Sequence, residues 1–133
     1  MSAVRVFVPR DATACALGAD RVAAAIAEGA AGRGIEIELL RNGSRGAFWL
    51  EPLVEVETAA GRLAFGPVAA DAVPGLFDAG FPGDTDHPLA LGEVTDIEWL
   101  ASQQRLTFAR AGWTDPLSLD DYRSRGGYAG LAR

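Results

Sequence analysis

Three stretches of the chain carry side chains capable of chemistry. The first is Arg10-Asp11-Ala12-Thr13-Ala14-Cys15, which brings together a guanidinium, a carboxylate, a hydroxyl and the only thiol of the sequence. A thiol near a helix N-terminus has a lowered pKa and some nucleophilicity. Cys15 has no partner in a Cys-x-x-Cys arrangement, however, so a small buried residue is the preferred reading over a thioredoxin-type redox centre. The second stretch, residues 41–52, sets Arg45 close to Phe48 and Trp49. These rings could stack on a flavin or a base, and the plainer alternative is that they plug the end of a core or a subunit interface. Gly43 and Gly46 lie in the same stretch, but no Lys-Ser/Thr step and no dinucleotide fingerprint accompanies them. The third stretch holds Asp84, Asp86 and the only histidine, His87, within a Pro/Gly-rich segment. Metal centres draw ligands from several elements, so this trio reads as a solvated linker.

The elements that must position these groups are legible in order. Val4, Val6 and Val8 alternate with Arg5 and Phe7, the period of a strand with one buried face, and Pro9 ends it. Helix formers run from about Ala14 to Ala31, with Leu17, Val22 and Ile26 on one side; Gly29, Gly32 and Gly34 break the helix, and Gly34 suits a C-terminal cap. Residues 35–40 alternate apolar and acidic, which predicts a second strand, parallel to the first across a right-handed crossover. Residues 53–58 and 63–68 flank a Gly-containing turn and predict a hairpin. A short helix with Pro74 in its first turns follows over residues 70–80. Beyond it come the linker of residues 81–91, a turn of helix within 94–100, an extended piece at 105–110 and a last helix capped by Ser118. The expected organisation is an α/β domain of order β-α-β-β-β-α over residues 1–80. Residues 81–133 form an extended and helical linker whose Gly-rich tail leads into something further.

Composition narrows the function. The 133 residues carry a formal charge of −6, and all twelve basic residues are Arg. An acidic balance argues against nucleic acid and favours docking to a more basic protein surface. No apolar run is long enough to span a bilayer. One cysteine rules out an internal disulfide framework and fits a cytoplasmic setting.

Against this background, the β-α-β-β-β-α order resembles the thioredoxin-like [2Fe–2S] ferredoxin domain of NADH-dehydrogenase-type flavoprotein modules, NAD-reducing hydrogenases and NAD-dependent formate dehydrogenases. In that family the cluster cysteines stand at fixed offsets from a Gly-Ala pair and a Gly-Pro step. Gly18-Ala19 and Glu51-Pro52 resemble those landmarks and place the four ligand positions on Pro9, Ala14, Ser44 and Phe48. None is cysteine, and Cys15 lies one residue out of register. The resemblance implies the fold without the cluster.

His87-Pro88-Leu89-Ala90-Leu91-Gly92, residues 104–110, Asp115-Pro116-Leu117-Ser118-Leu119-Asp120-Asp121-Tyr122 and Gly126-Gly127-Tyr128 resemble the entry to the flavin- and NAD-binding module. Together they make the chain similar to the N-terminal part of the beta subunit of cytoplasmic NAD-dependent formate dehydrogenase. That implies a scaffold role, with FMN, NAD and Fe–S clusters held elsewhere in the subunit and complex and no cofactor or catalytic residue in this stretch. The implied partners are the subunit's own flavin/NAD domain and neighbouring subunits, met through Phe48, Trp49, Trp99 and Trp113. The alternative is an electron-transfer domain of a related hydrogenase or complex I-type module.

Overall fold

A computed structural model describes residues 2–83 and 86–132. The first strand, β1 (Val4–Phe7), leads through a short loop into two helices, α1 (Ala12–Ala16) and α2 (Ala19–Arg33). The sequence predicts one helix here. Gly18 breaks it, with φ of 101°, a conformation that glycine adopts without a Cβ penalty. Leu17 accordingly stays about half exposed at the junction and does not join Val22 and Ile26. Gly29 and Gly32 do not break α2, which runs on to Arg33; Gly34, at φ 66°, supplies the expected cap. Gly29 has a packing reason instead, since a Cβ there would lie 2.6 Å from the Phe77 ring.

Strand β2 (Ile37–Leu40) pairs parallel with β1, and β3 (Val54–Glu57) with β4 (Arg62–Phe65) forms the expected antiparallel hairpin. Helix α3 (Val73–Asp78) carries Pro74 in its first turn, where the missing N–H costs nothing. The sheet does not end there. Strand β5 (Ala90–Glu93), within residues read from sequence as linker, pairs antiparallel with β4 and completes the order β2-β1-β3-β4-β5. Its signal is hidden by shortness, by Gly92 at φ 79° and by a register shift opposite Ala64 and Phe65. Two short helices follow, α4 (Glu98–Ala101) and α5 (Leu119–Ser124). Ser118 caps α5 as predicted, its Oγ accepting from the Asp121 N–H at 3.1 Å. Residues 106–113 form turns and bends where an extended piece is expected.

The sheet's two faces are covered by different material. On one face Val6, Val8, Val54, Val56 and Phe65 pack against Val22 and Ile26 of α2 and Leu76 and Phe77 of α3, all fully or nearly buried. Phe81 fills the centre edge-to-face against Phe65 and Phe77. The opposite face presents Phe7, Glu55, Arg62 and Ala64, the alternate residues of the same strands. Alternation alone does not say what covers this face, and the sequence places Arg62 in the predicted turn rather than in β4. The chain returns over these residues, and Glu55 and Arg62 are 1% and 4% exposed.

Candidate functional site

The loops at the end of β1 and after β2 lie together. Val8 N–H donates to Leu40 O at 2.9 Å, and Arg10 N–H to Asn42 O at 3.0 Å. Arg41 fastens them, donating to the carbonyls of Val8 and Pro9 at 3.0 and 3.1 Å and to Asp20 at 2.7 Å. The four positions that the resemblance gives to cluster ligands sit on these loops. Pro9 is buried at the end of β1, and Ala14 is fully buried inside α1. The Ser44 hydroxyl donates to Glu51 Oε1 at 2.7 Å and accepts from the Gly46 N–H at 3.0 Å. Phe48 opens a 3-10 turn, Phe48–Leu50, with its ring 54% exposed. An imino ring, a methyl, an engaged hydroxyl and a hydrocarbon ring offer no thiolate, while a [2Fe–2S] centre of the ferredoxin type requires four. The residues present do not fit the cluster.

Cys15 does not replace them. Its thiol donates to Arg10 O at 3.4 Å and to Asp20 Oδ1 at 3.6 Å. Cys15 is partly exposed rather than the small buried residue expected, and its partial burial, followed by the charge of Asp20, pushes the thiol pKa up. Nucleophilic and metal-binding thiols need the opposite shift. Asp86 is exposed, and the His87 ring accepts the Leu89 N–H on Nδ1 at 3.1 Å; Asp84 lies outside the described residues. Among the described residues no group of three or more His, Cys, Asp and Glu side chains converges as a metal site would require, and no helix is long and apolar enough to cross a membrane.

Glu51 is a buried carboxyl of these loops. It is 5% exposed, precedes the cis bond to Pro52, and accepts from Ser44 Oγ and from the Leu53 N–H at 3.0 Å. Burial raises its pKa, and the hydrogen bonds from Ser44 and Leu53 only partly offset this. A carboxyl whose folded pKa lies above its unfolded one favours folding in full below the unfolded value and loses that contribution as pH rises through the folded value. Glu51→Gln can accept the Leu53 N–H on its carbonyl oxygen and, with the direction of the bond reversed, donate from its amide to Ser44 Oγ, all without the charge. Its stability relative to wild type should therefore grow as pH rises from the ordinary glutamate range through the raised folded value. Urea unfolding at several pH values measures this difference, and parallel curves for the two proteins would contradict it.

Sequence reasoning missed the charged network under the returning chain. Arg45 Nε and Nη2 donate to the two carboxylate oxygens of Glu55 at 2.5 and 2.9 Å, and Arg62 Nη1 reaches Oε2 at 3.2 Å. Two guanidiniums against one carboxylate leave one positive charge in excess. Backbone carbonyls and ring faces absorb it. Gly112 O accepts from Asn42 Nδ2 at 2.8 Å, Arg62 Nη1 at 3.0 Å and Arg45 Nη2 at 3.4 Å, and Trp113 O accepts from Arg62 Nη2 at 2.9 Å. Arg62 lies 3.5 Å above the Phe7 ring, and Arg45 4.3 Å from the centre of Trp113. Burial pulls the Arg62 pKa down and Glu55 opposes that pull. Further ties bind the same segment, from Gly43 N–H to Thr114 O at 3.2 Å and from Arg10 to Asp115 at 3.6 Å.

Of the four aromatic residues expected to meet partners, three present open rings. Phe48 and Trp49 are 54% and 57% exposed, Trp99 is 39% exposed, and Trp49 meets Trp99 edge-on at 5.0 Å. Trp113 is different: it packs on the small cluster of Leu53, Ala64 and Val94 and roofs the guanidiniums, so its ring is spent inside the chain. Beside Phe48 and Trp99 a groove of about 610 Å³ runs between residues 44–48 and 103–111. Leu106 and Phe108 stand exposed on its far side.

With this geometry in place, comparison fixes the fold. The chain is similar to the thioredoxin-like [2Fe–2S] ferredoxin from Aquifex aeolicus at a TM-score of 0.55, with 18% identity over 70% of this chain and 100% of that one. The fold is thioredoxin-like. No family model matches the chain, and no curated protein matches it.

Proposed function

We propose that this chain is a docking domain that keeps the thioredoxin-like ferredoxin fold without its metal centre. It would be the N-terminal part of the NAD- and FMN-binding beta subunit of a cytoplasmic NAD-dependent formate dehydrogenase. In the full complex formate and NAD⁺ would become CO₂ and NADH, with FMN, NAD and Fe–S clusters carried outside this domain. One observation carries the reading: the loop expected to supply two cluster ligands offers Ser44, tied to Glu51, and Phe48, turned out beside Trp49 and Trp99. Exposed aromatic residues grouped on one face are the anchors that protein interfaces favour.

The test has two parts. Protein purified and reconstituted without oxygen should be colourless and free of iron and acid-labile sulfide. Stoichiometric iron and sulfide would overturn the reading in favour of an electron-transfer domain of a hydrogenase or complex I-type module. Phe48→Asp should weaken association with the subunit's flavin/NAD-binding part by about thirtyfold, about 2 kcal/mol of anchor contact. The unfolding midpoint of the domain itself should barely move, because the ring is more than half exposed. Equal damage to association and folding would make Phe48 ordinary core.

A further inference from the structure

The net charge of −6 points to a basic partner, yet the groove beside the aromatic face has the opposite local sign. Its charged lining residues are Arg45 and Arg105, with no carboxylate among them. The charge of Arg45 is met by Glu55. Arg105 gives its N–H groups to neutral oxygens, Gln103 Oε1 at 2.8 Å and Arg45 O at 2.6 Å, and among the described residues it has no ion-pair partner. These two bonds hold the guanidinium in place, 5.9 Å from the centre of the Trp99 ring. An Arg so fixed is prepared for a carboxylate, since its planar fork loses little freedom when it binds.

We infer that this groove receives an acidic, apolar-rich segment of a partner protein, with an apolar side chain seated between Phe48 and Trp99 and a carboxylate on Arg105. The inference rests on the docking reading and adds the chemistry of the occupant. Charge complementarity selects a carboxylate, and the volume of about 610 Å³ accommodates a few side chains. A flat cofactor ring is a poorer match, because Trp49 and Trp99 stand at 84° to each other and offer no parallel pair to sandwich it. Gly46 adjoins the rings, but neither a Lys-Ser/Thr step nor a dinucleotide fingerprint accompanies it.

The experiment titrates the ¹⁵N-labelled full chain with an acetylated peptide of alternating Leu and Glu, and with its Leu and Lys counterpart. The Glu peptide should shift the Trp99 and Trp49 indole signals and bind at least about tenfold more tightly than the Lys peptide. Arg105→Gln should erase that preference, and Arg105→Lys should keep most of it, which separates charge recognition from a loss of local packing. Equal binding of both peptides, abolished together by Phe48→Asp, would overturn the acidic occupant while leaving a docking face. No binding of either peptide would overturn the inference. Preserved association of the domain with the flavin/NAD-binding part would then show that the docking reading survives separately.

Discussion

Glu55→Ala is expected to lower the unfolding free energy by about 3–5 kcal/mol, because it strands two buried guanidiniums without their counter-charge. Arg45, Glu55 and Arg62 are 6%, 1% and 4% exposed, so water does not replace the lost carboxylate unless the returning segment opens. A domain of this size holds about 5–15 kcal/mol in all, which makes the change a large fraction of the total. Glu55→Gln should behave similarly, since it keeps shape but not charge. The informative contrast is the triple replacement Arg45→Met, Glu55→Leu and Arg62→Met. Removing all the charges together should recover much of the loss, as apolar replacements of buried ion networks commonly do. Urea unfolding of the three proteins makes the comparison. A loss below about 1 kcal/mol for Glu55→Ala is what exposed ion pairs give, and it would mean that the network is hydrated in solution.

The second large effect is expected at Gly112. Its φ of 83° lies in the left-handed region, and a Cβ there would run into the Arg45 side chain. Gly112→Ala should therefore combine about 1–3 kcal/mol of backbone strain with about 1–3 kcal/mol of crowding. The same residue's carbonyl accepts three buried donors, so a shift of its backbone loosens Asn42, Arg45 and Arg62 together. With Trp49 and Trp99 replaced by Phe, Trp113 fluorescence should report the loosening at lower urea than backbone circular dichroism reports unfolding. Coincident transitions with an unchanged midpoint would show that the segment yields without cost.

Much of this was readable from the chain, and the rest was hidden for identifiable reasons. The alternation of Val4, Val6 and Val8, the hairpin around Gly61 and the Ser118 cap are local signals, and each produced the element it predicts. Strand β5 was not readable because an edge strand of four residues containing Gly92 has almost no periodicity of its own. The network was not readable because Glu55 is only one acidic member of an alternating strand and Arg62 falls in the predicted turn, and alternation reports which face a residue occupies and not what later crosses that face. Their placement near each other across the hairpin, with Glu57 opposite Arg62 and Glu55 opposite Ala64, was the available hint. Phe48, Trp49 and Trp99 look identical to Trp113 as residue types. Only the return of the chain separates three open rings from one that covers guanidiniums.

That return also sets an order of events during synthesis. The donors gathered on the Gly112 carbonyl precede it by 50, 67 and 70 residues. At roughly 5–20 residues per second the ribosome delivers the acceptor several seconds after the side chains that need it. During that interval the helical face can consolidate, while the opposite face keeps its charges in water. Arrival of that one residue then lets the second face of the sheet close, so a chain truncated just short of it would keep its ionic centre wet.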